Sequence, residues 1–172
     1  GIHAPGVLAT ISSARAIESL SENLALNGFA SFNGTAEAST SNKRGQVELV
    51  KGEAERTMQE MINQGRTFDM VICDPPKLAP KRADLPRATR KYKQINTLAM
   101  QLVSKKGGLL LTCTCSAAMT HSGKFEEMVH SAARAAGRDV TMVSKSGAAP
   151  DHPTVVACPE SNYLTALLLY VY

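Results

Sequence analysis

Two cysteines separated by one threonine close the stretch GGLLLTCTCSAAM, Gly107 to Met119. The run of Leu109, Leu110 and Leu111 behind two glycines reads as an inner strand of a parallel sheet, apolar on both faces. Its last residues then fall at the carboxyl edge of the sheet, where ligands of open α/β sheets bind. A second strand candidate, FDMVIC over Phe68–Cys73, runs into Asp74-Pro75-Pro76. Two prolines cannot continue an inner strand, so Asp74 is left at the same edge. Cys113 and Cys115 are then either small core residues or a place where one thiol acts as a nucleophile. A thiolate beside a carboxyl group suits one chemistry well. The sulfur adds to C6 of a pyrimidine and turns C5 into a carbon nucleophile able to take a methyl group from a sulfonium donor. The carboxyl group meanwhile hydrogen-bonds the N3/N4 edge of cytosine and steadies the developing charge.

Alternating strands and helices must hold these two ends in place. Val7–Ile11 is a short apolar strand; Ser12-Ser13 start a helix over Ala14–Leu26, with Ile17, Leu20 and Leu24 at helical spacing and Asn27-Gly28 closing it. Residues 29–46 turn small and polar and read as a flexible surface insertion. Val47–Val50 is the second strand, and EAERTMQEMINQG is a helix closed by Gly65. After the third strand, Phe68–Cys73, the loop Pro76–Pro86 leads to a helix over Ala88–Ser104 with Tyr92, Ile95, Leu98, Ala99 and Leu102 on its inner face. Gly107–Thr114 is the fourth strand, Gly123–Ala136 a helix ended by Gly137, Val140–Val143 the fifth strand and Tyr163–Tyr172 the last. The pattern predicts a single α/β domain over residues 1–172, with a mostly parallel sheet and a closing antiparallel strand.

Composition sets the bounds. The chain has 172 residues, 44% hydrophobic and 20% charged, ordinary for a globular protein. No apolar run approaches the roughly 20 residues that span a bilayer. Residues 1–12 lack the charged start and long apolar core of a signal peptide. The four cysteines, Cys73, Cys113, Cys115 and Cys158, are too scattered for a disulfide framework and lack the partners of a zinc site, which points to a reducing compartment and no metal. The net charge of +4 decides little, but Lys77, Lys81, Arg82, Arg87, Arg90, Lys91 and Lys93 crowd one stretch beside the proposed site. That clustering favours contacts with RNA phosphates over a merely solvated helix face.

The blocks FDMVICDPPKLAP, YKQIN, GGLLLTCTCSAAM, AGRDV and DHPTVVACPESNYL together resemble the catalytic domain of the class I, S-adenosylmethionine-dependent methyltransferases that form 5-methylcytosine in large-subunit ribosomal RNA. The closest resemblance is to the bacterial 23S ribosomal RNA cytosine-C5 family that carries an N-terminal PUA domain. It runs from about Val47 to Tyr172, and more loosely over Val7–Gly28. It implies a Rossmann-like sandwich, S-adenosylmethionine as cofactor and RNA as substrate, with the cytoplasm as the expected compartment and an organelle as the alternative. By position it makes Cys115 the nucleophile and Cys113 its structural neighbour. Asp74, Pro75 and Pro76 form the wall around donor and target base, with Lys77 beside them. Glu53 becomes the acidic contact to the cofactor's adenine, and Tyr92 and Asn96 lie near the mouth of the site. Lys77, Lys81 and Arg82 are the expected RNA contacts.

The chain departs from the family pattern in its first part. Only GIHA, residues 1–4, resembles the glycine-rich turn that opens the family's domain, so the chain is expected to be an N-terminally incomplete piece of something longer. Ile11 stands where the family has an acidic residue that binds the ribose hydroxyls, and isoleucine accepts no hydrogen bond. Two other readings follow. One is a truncated or degenerate relative that binds RNA without catalysis. The other is an amino-group methyltransferase, which shares Asp/Asn-Pro-Pro but places an aromatic where this chain has Lys77 and needs no cysteine.

Overall fold

Gly107 takes φ +100°, open to glycine at little cost, and a Cβ on Gly108 would meet the Asp69 carbonyl oxygen at 2.6 Å. This pair turns the chain tightly into strand β5, Gly108–Thr114. The computed structural model describes residues 6–33 and 46–172. It divides into two compact units, Gly1–Glu60 and Met61–Tyr172.

In the first unit, β1 (Gly6–Ile11), β2 (Ala30–Asn33) and β3 (Gln46–Lys51) form a parallel sheet in the order β1-β3-β2. Helix α1, Ala14–Leu26, follows β1. The Ser13 side chain accepts the Ala16 amide at 3.3 Å, and Asn27 and Gly28 end the helix. Helix α2, Ala54–Asn63, follows β3 and runs across the boundary between the units. The segment expected to be an insertion contains strand β2 at its start. Its short Ala-Ser-Phe-Asn run satisfies its backbone by pairing with β3, which outweighs its weak apolar signal. Residues 34–45 and GIHA lie outside the described residues.

In the second unit the sheet order is β4-β5-β7-β6. Here β4 is Met70–Cys73, β6 is Val140–Ser146 and β7 is Thr165–Val171. Strands β4 and β5 are parallel, β7 runs against β5, and β6 runs against β7, so three strands share a direction and β7 opposes them. This is the mostly parallel sheet with a closing antiparallel strand that the alternation predicts. Leu167, Leu169 and Val171 of β7 are buried at period two beside Leu110 of β5.

Helix α3, Leu85–Leu102, starts three residues earlier than its periodicity suggests, because Pro86 sits in its first turn, where a missing N–H costs nothing. A short helix α4, Ala117–Ser122, precedes α5, Lys124–Ala136; the sequence pattern predicts only the second. Gly123, at φ +67°, separates the two. Tyr92 of α3 meets Phe125 of α5 edge to face, with ring centroids 5.8 Å apart. The last carbonyls of α3 and the turn after it are closed by Arg138, whose guanidinium donates to the oxygens of Met100, Val103 and Ser104. Among the described residues no helix is long and apolar enough to cross a membrane.

Candidate active site

The carboxyl ends of β4 and β5 lie side by side. Cys73, the last residue of β4, is level with Thr112 in the parallel register, so the chain leaves the sheet at Asp74 next to the strand end that carries Cys113 and leads into Cys115. Along β5 the alternation is strict: Thr112 and Thr114 are completely buried, whereas Cys113 is part-exposed, and Cys115 just beyond the strand is part-exposed too. Both thiols are therefore on the side of β5 opposite to the buried threonines.

Asp74 is exposed, and its charge reaches both thiols. Burial pushes the Cys115 thiol above its ordinary range, the Asp74 carboxylate pushes it further, and the Lys77 ammonium pulls it back. Cys113 is raised by burial first, then by Asp74 and by Cys115. The Cys73 thiol, on the buried face, is pushed up to about 12 mainly by burial. That makes it a core residue with no thiolate to offer.

The loop after Asp74 is pinned at two points. Ala79 is fully buried, and its carbonyl accepts the Ser116 hydroxyl at 2.6 Å. Further on, the Asp84 carboxylate accepts the Lys81 amide at 3.1 Å, closing a turn of 3-10 helix over Arg82–Asp84. Lys77, Lys81 and Arg82 stand exposed along this loop, Arg87 and Arg90 are exposed on α3, and Lys91 and Lys93 are half-buried.

Tyr92 and Asn96 are both fully buried. Asn96 donates to the Tyr92 carbonyl at 2.8 Å, and the Tyr92 hydroxyl accepts the Thr114 hydroxyl at 2.8 Å. Neither side chain is open to solvent: Tyr92 reaches the site from beneath. In the first unit, Glu53 is exposed at the start of α2, its carbonyl accepting the Thr57 amide at 2.9 Å, and Ile11 is the last residue of β1. Among the described residues no group of three His, Cys, Asp or Glu side chains could hold a metal ion.

The hydroxyl residues on either side of Cys115 belong to the site as well, although the sequence reading passes over them. Thr114 donates to Tyr92, the Ser116 amide donates to the Thr114 hydroxyl at 3.3 Å, and Ser116 accepts the Met119 amide at the start of α4. A signal for them exists: in TCTCS the hydroxyls occupy the parity opposite to the cysteines. If the cysteines face a ligand, the hydroxyls face the core and need partners there.

No family model matches the chain. It is 39% identical over 125 residues, 73% of its length, to "Ribosomal RNA large subunit methyltransferase I" of Cronobacter sakazakii. To the protein of the same name from Vibrio cholerae it is 40% identical over 149 residues, 87% of its length. The chain spans 31% and 34% of those two relatives, about a third of each. Among solved structures, the methyltransferase-like protein SMU.776, crystallised with S-adenosylhomocysteine (SAH), covers 96% of this chain at a TM-score of 0.73 and 17% identity; the chain covers 39% of it. The chain has a Rossmann-like fold similar to that of this methyltransferase-like protein, and by sequence it is a relative of part of the large-subunit ribosomal RNA methyltransferases.

Proposed function

We propose that this chain is the catalytic portion of an S-adenosylmethionine-dependent methyltransferase that forms 5-methylcytosine in large-subunit ribosomal RNA. The observation that carries the reading is the placement of an exposed carboxylate, Asp74, and a part-exposed thiol, Cys115, at neighbouring strand ends, close enough for the charge of one to shift the titration of the other. The relatives support ribosomal RNA as the substrate class, and the cytoplasm is the compartment that goes with it.

In the first unit, Glu53 after β3 offers carboxylate oxygens to hydrogen-bond donors of the cofactor, whereas the residue type at Ile11 offers no acceptor for a ribose diol. In the second unit, Asp74 after β4 offers carboxylate oxygens too, with Pro75 and Pro76 a rigid wall beside it. When bound, S-adenosylmethionine supplies an electrophilic methyl group on a sulfonium. The chain's own residues do the rest. Cys115, once deprotonated, forms a bond from Sγ to C6 of the cytosine, and the electron pair of the C5–C6 double bond moves to C5 and the N3 edge. Asp74, protonated when the base is bound, donates a hydrogen bond to N3 and steadies that charge. After C5 has taken its methyl group, solvent water accepts the C5 proton, the C5–H electron pair re-forms the C5–C6 double bond, and the C6–Sγ bond breaks with its pair returning to sulfur as the thiolate. Lys77, Lys81 and Arg82 hold RNA phosphates beside the site.

The test is methyl transfer to cytosine-containing ribosomal RNA by the Cys115→Ala and Cys113→Ala variants. Loss of transfer in the first and retention in the second is expected. Full transfer by a folded Cys115→Ala protein overturns the assignment. RNA binding with no transfer by any form of the chain would leave the non-catalytic reading, which Ile11 favours.

A further inference from the structure

We propose that Tyr92 is a positioning residue for Cys115: through a buried chain of hydroxyl groups it fixes the strand end that bears the thiol against the loop that bears Asp74. The proposal rests on the reading of Cys115 given above. It uses contacts that no catalytic step consumes.

Three hydrogen bonds make up this chain. The Tyr92 hydroxyl, in the middle of α3, accepts from Thr114 at 2.8 Å. Thr114 accepts the Ser116 amide at 3.3 Å. Ser116 donates its hydroxyl to the Ala79 carbonyl at 2.6 Å, which brings the chain to the loop that carries Asp74. Tyr92, Thr114, Ser116 and Ala79 are all completely buried. Cys115 is thus bracketed, on the residue before and the residue after, by side chains locked to one helix and one loop. Buried hydroxyls are costly unless partnered: removing the phenol leaves the Thr114 hydroxyl without its acceptor, and removing the Ser116 hydroxyl leaves the Ala79 carbonyl without that donor. The phenol ties the strand end to α3, and Ser116 ties it to the loop.

Held in this way, the thiol keeps a fixed distance from the charged and titratable groups that surround it, namely Asp74 and Lys77 on the loop, Cys113 on β5 and the Tyr92 phenol on α3. Tyr92→Phe preserves the ring that packs on Phe125 and removes one hydroxyl; Ser116→Ala cuts the link at its other end.

The experiment is iodoacetamide labelling of the full chain across pH 7–10, read peptide by peptide, with the exposed Cys158 as internal reference. Circular dichroism checks the fold of each variant. In both variants Cys115 should label about threefold faster at neutral pH relative to Cys158, with its midpoint lowered by about half a unit, since rate follows the thiolate fraction. In methyl transfer, kcat should fall while KM for RNA holds. An unchanged or slower Cys115 rate in the folded variants overturns the proposal. Failure of the catalytic reading looks different: the labelling shift appears, but Cys115→Ala still methylates.

Discussion

Cys73 stands level with Thr112 across the β4–β5 pair, and this single register relationship brings the carboxylate and the thiols to one edge. One step past Cys73 lies Asp74; one and three steps past Thr112 lie Cys113 and Cys115. A slip of one residue would turn the cysteines into the core and the buried threonines outward. The register therefore brings both sulfurs to the edge that carries Asp74, and for Cys115 burial first, then the opposing charges of Asp74 and Lys77, set how easily the sulfur loses its proton.

Asp74→Asn should lower the Cys115 pKa, because it removes an anion that disfavours the thiolate. Lys77→Ala should raise it by removing the cation that favours it. At pH 7.5 the first variant should label faster than wild type and the second slower, yet both should lose methyl transfer, the first for want of the group that steadies the pyrimidine. Labelling rates with mass-spectrometric site assignment check the signs. Identical rates in all three proteins would mean that Asp74 and Cys115 are not electrically coupled.

How far this site is legible in the sequence depends on the element. The strand leading to Asp74 can be read because two prolines force the chain out of the sheet, and the strand leading to Cys115 because a leucine run follows two glycines. Helix α4 escapes such a reading: six residues are too few for a periodicity, and its N-cap Ser116 lies inside the TCS block, where the cysteine draws attention. Strand β2 escapes it because its four residues read as polar loop and its pairing with β3 is a long-range fact. The family resemblance implies that Tyr92 and Asn96 lie near the mouth of the site. The two do share a helical turn, but on the buried face, where apolar periodicity and a hydroxyl reaching upward to Thr114 coexist.

The basic loop should contribute affinity without selecting sequence. Lys81→Ala and Arg82→Ala, exposed and distant from the thiols in the chain, should each weaken RNA binding. The slope of log K against log salt should shrink by about 0.7 for each single-strand phosphate that the variant no longer neutralises. Filter binding at several salt concentrations measures this. An unaltered slope in the double variant would move the RNA surface elsewhere.

Ile11→Asp should strengthen cofactor binding. The backbone ends β1 at this residue, and a carboxylate there would add charge-assisted hydrogen bonds to a diol, for about a tenfold or greater gain in affinity. Calorimetric titration with S-adenosylmethionine on the two proteins gives the ratio. Equal affinities would show that the end of β1 does not face the ribose.

The buried Cys73 makes an alkaline limit to stability. Its folded pKa, about 12, lies above the ordinary thiol value of 9.0, so the fold favours the protonated form. The stabilisation is complete below pH 9, where both folded and unfolded thiols hold their protons. As pH rises from 9 towards 12, the unfolded chain ionises first and the contribution drains away. Cys73→Val, an apolar β-branched side chain suited to a strand, has no proton to lose. Denaturant melts at pH 8 and pH 10.5 should therefore show a smaller loss of stability in the variant than in wild type. Parallel losses would mean that the thiol is ionised or solvated in the folded protein, and that the buried face of β4 is open to water.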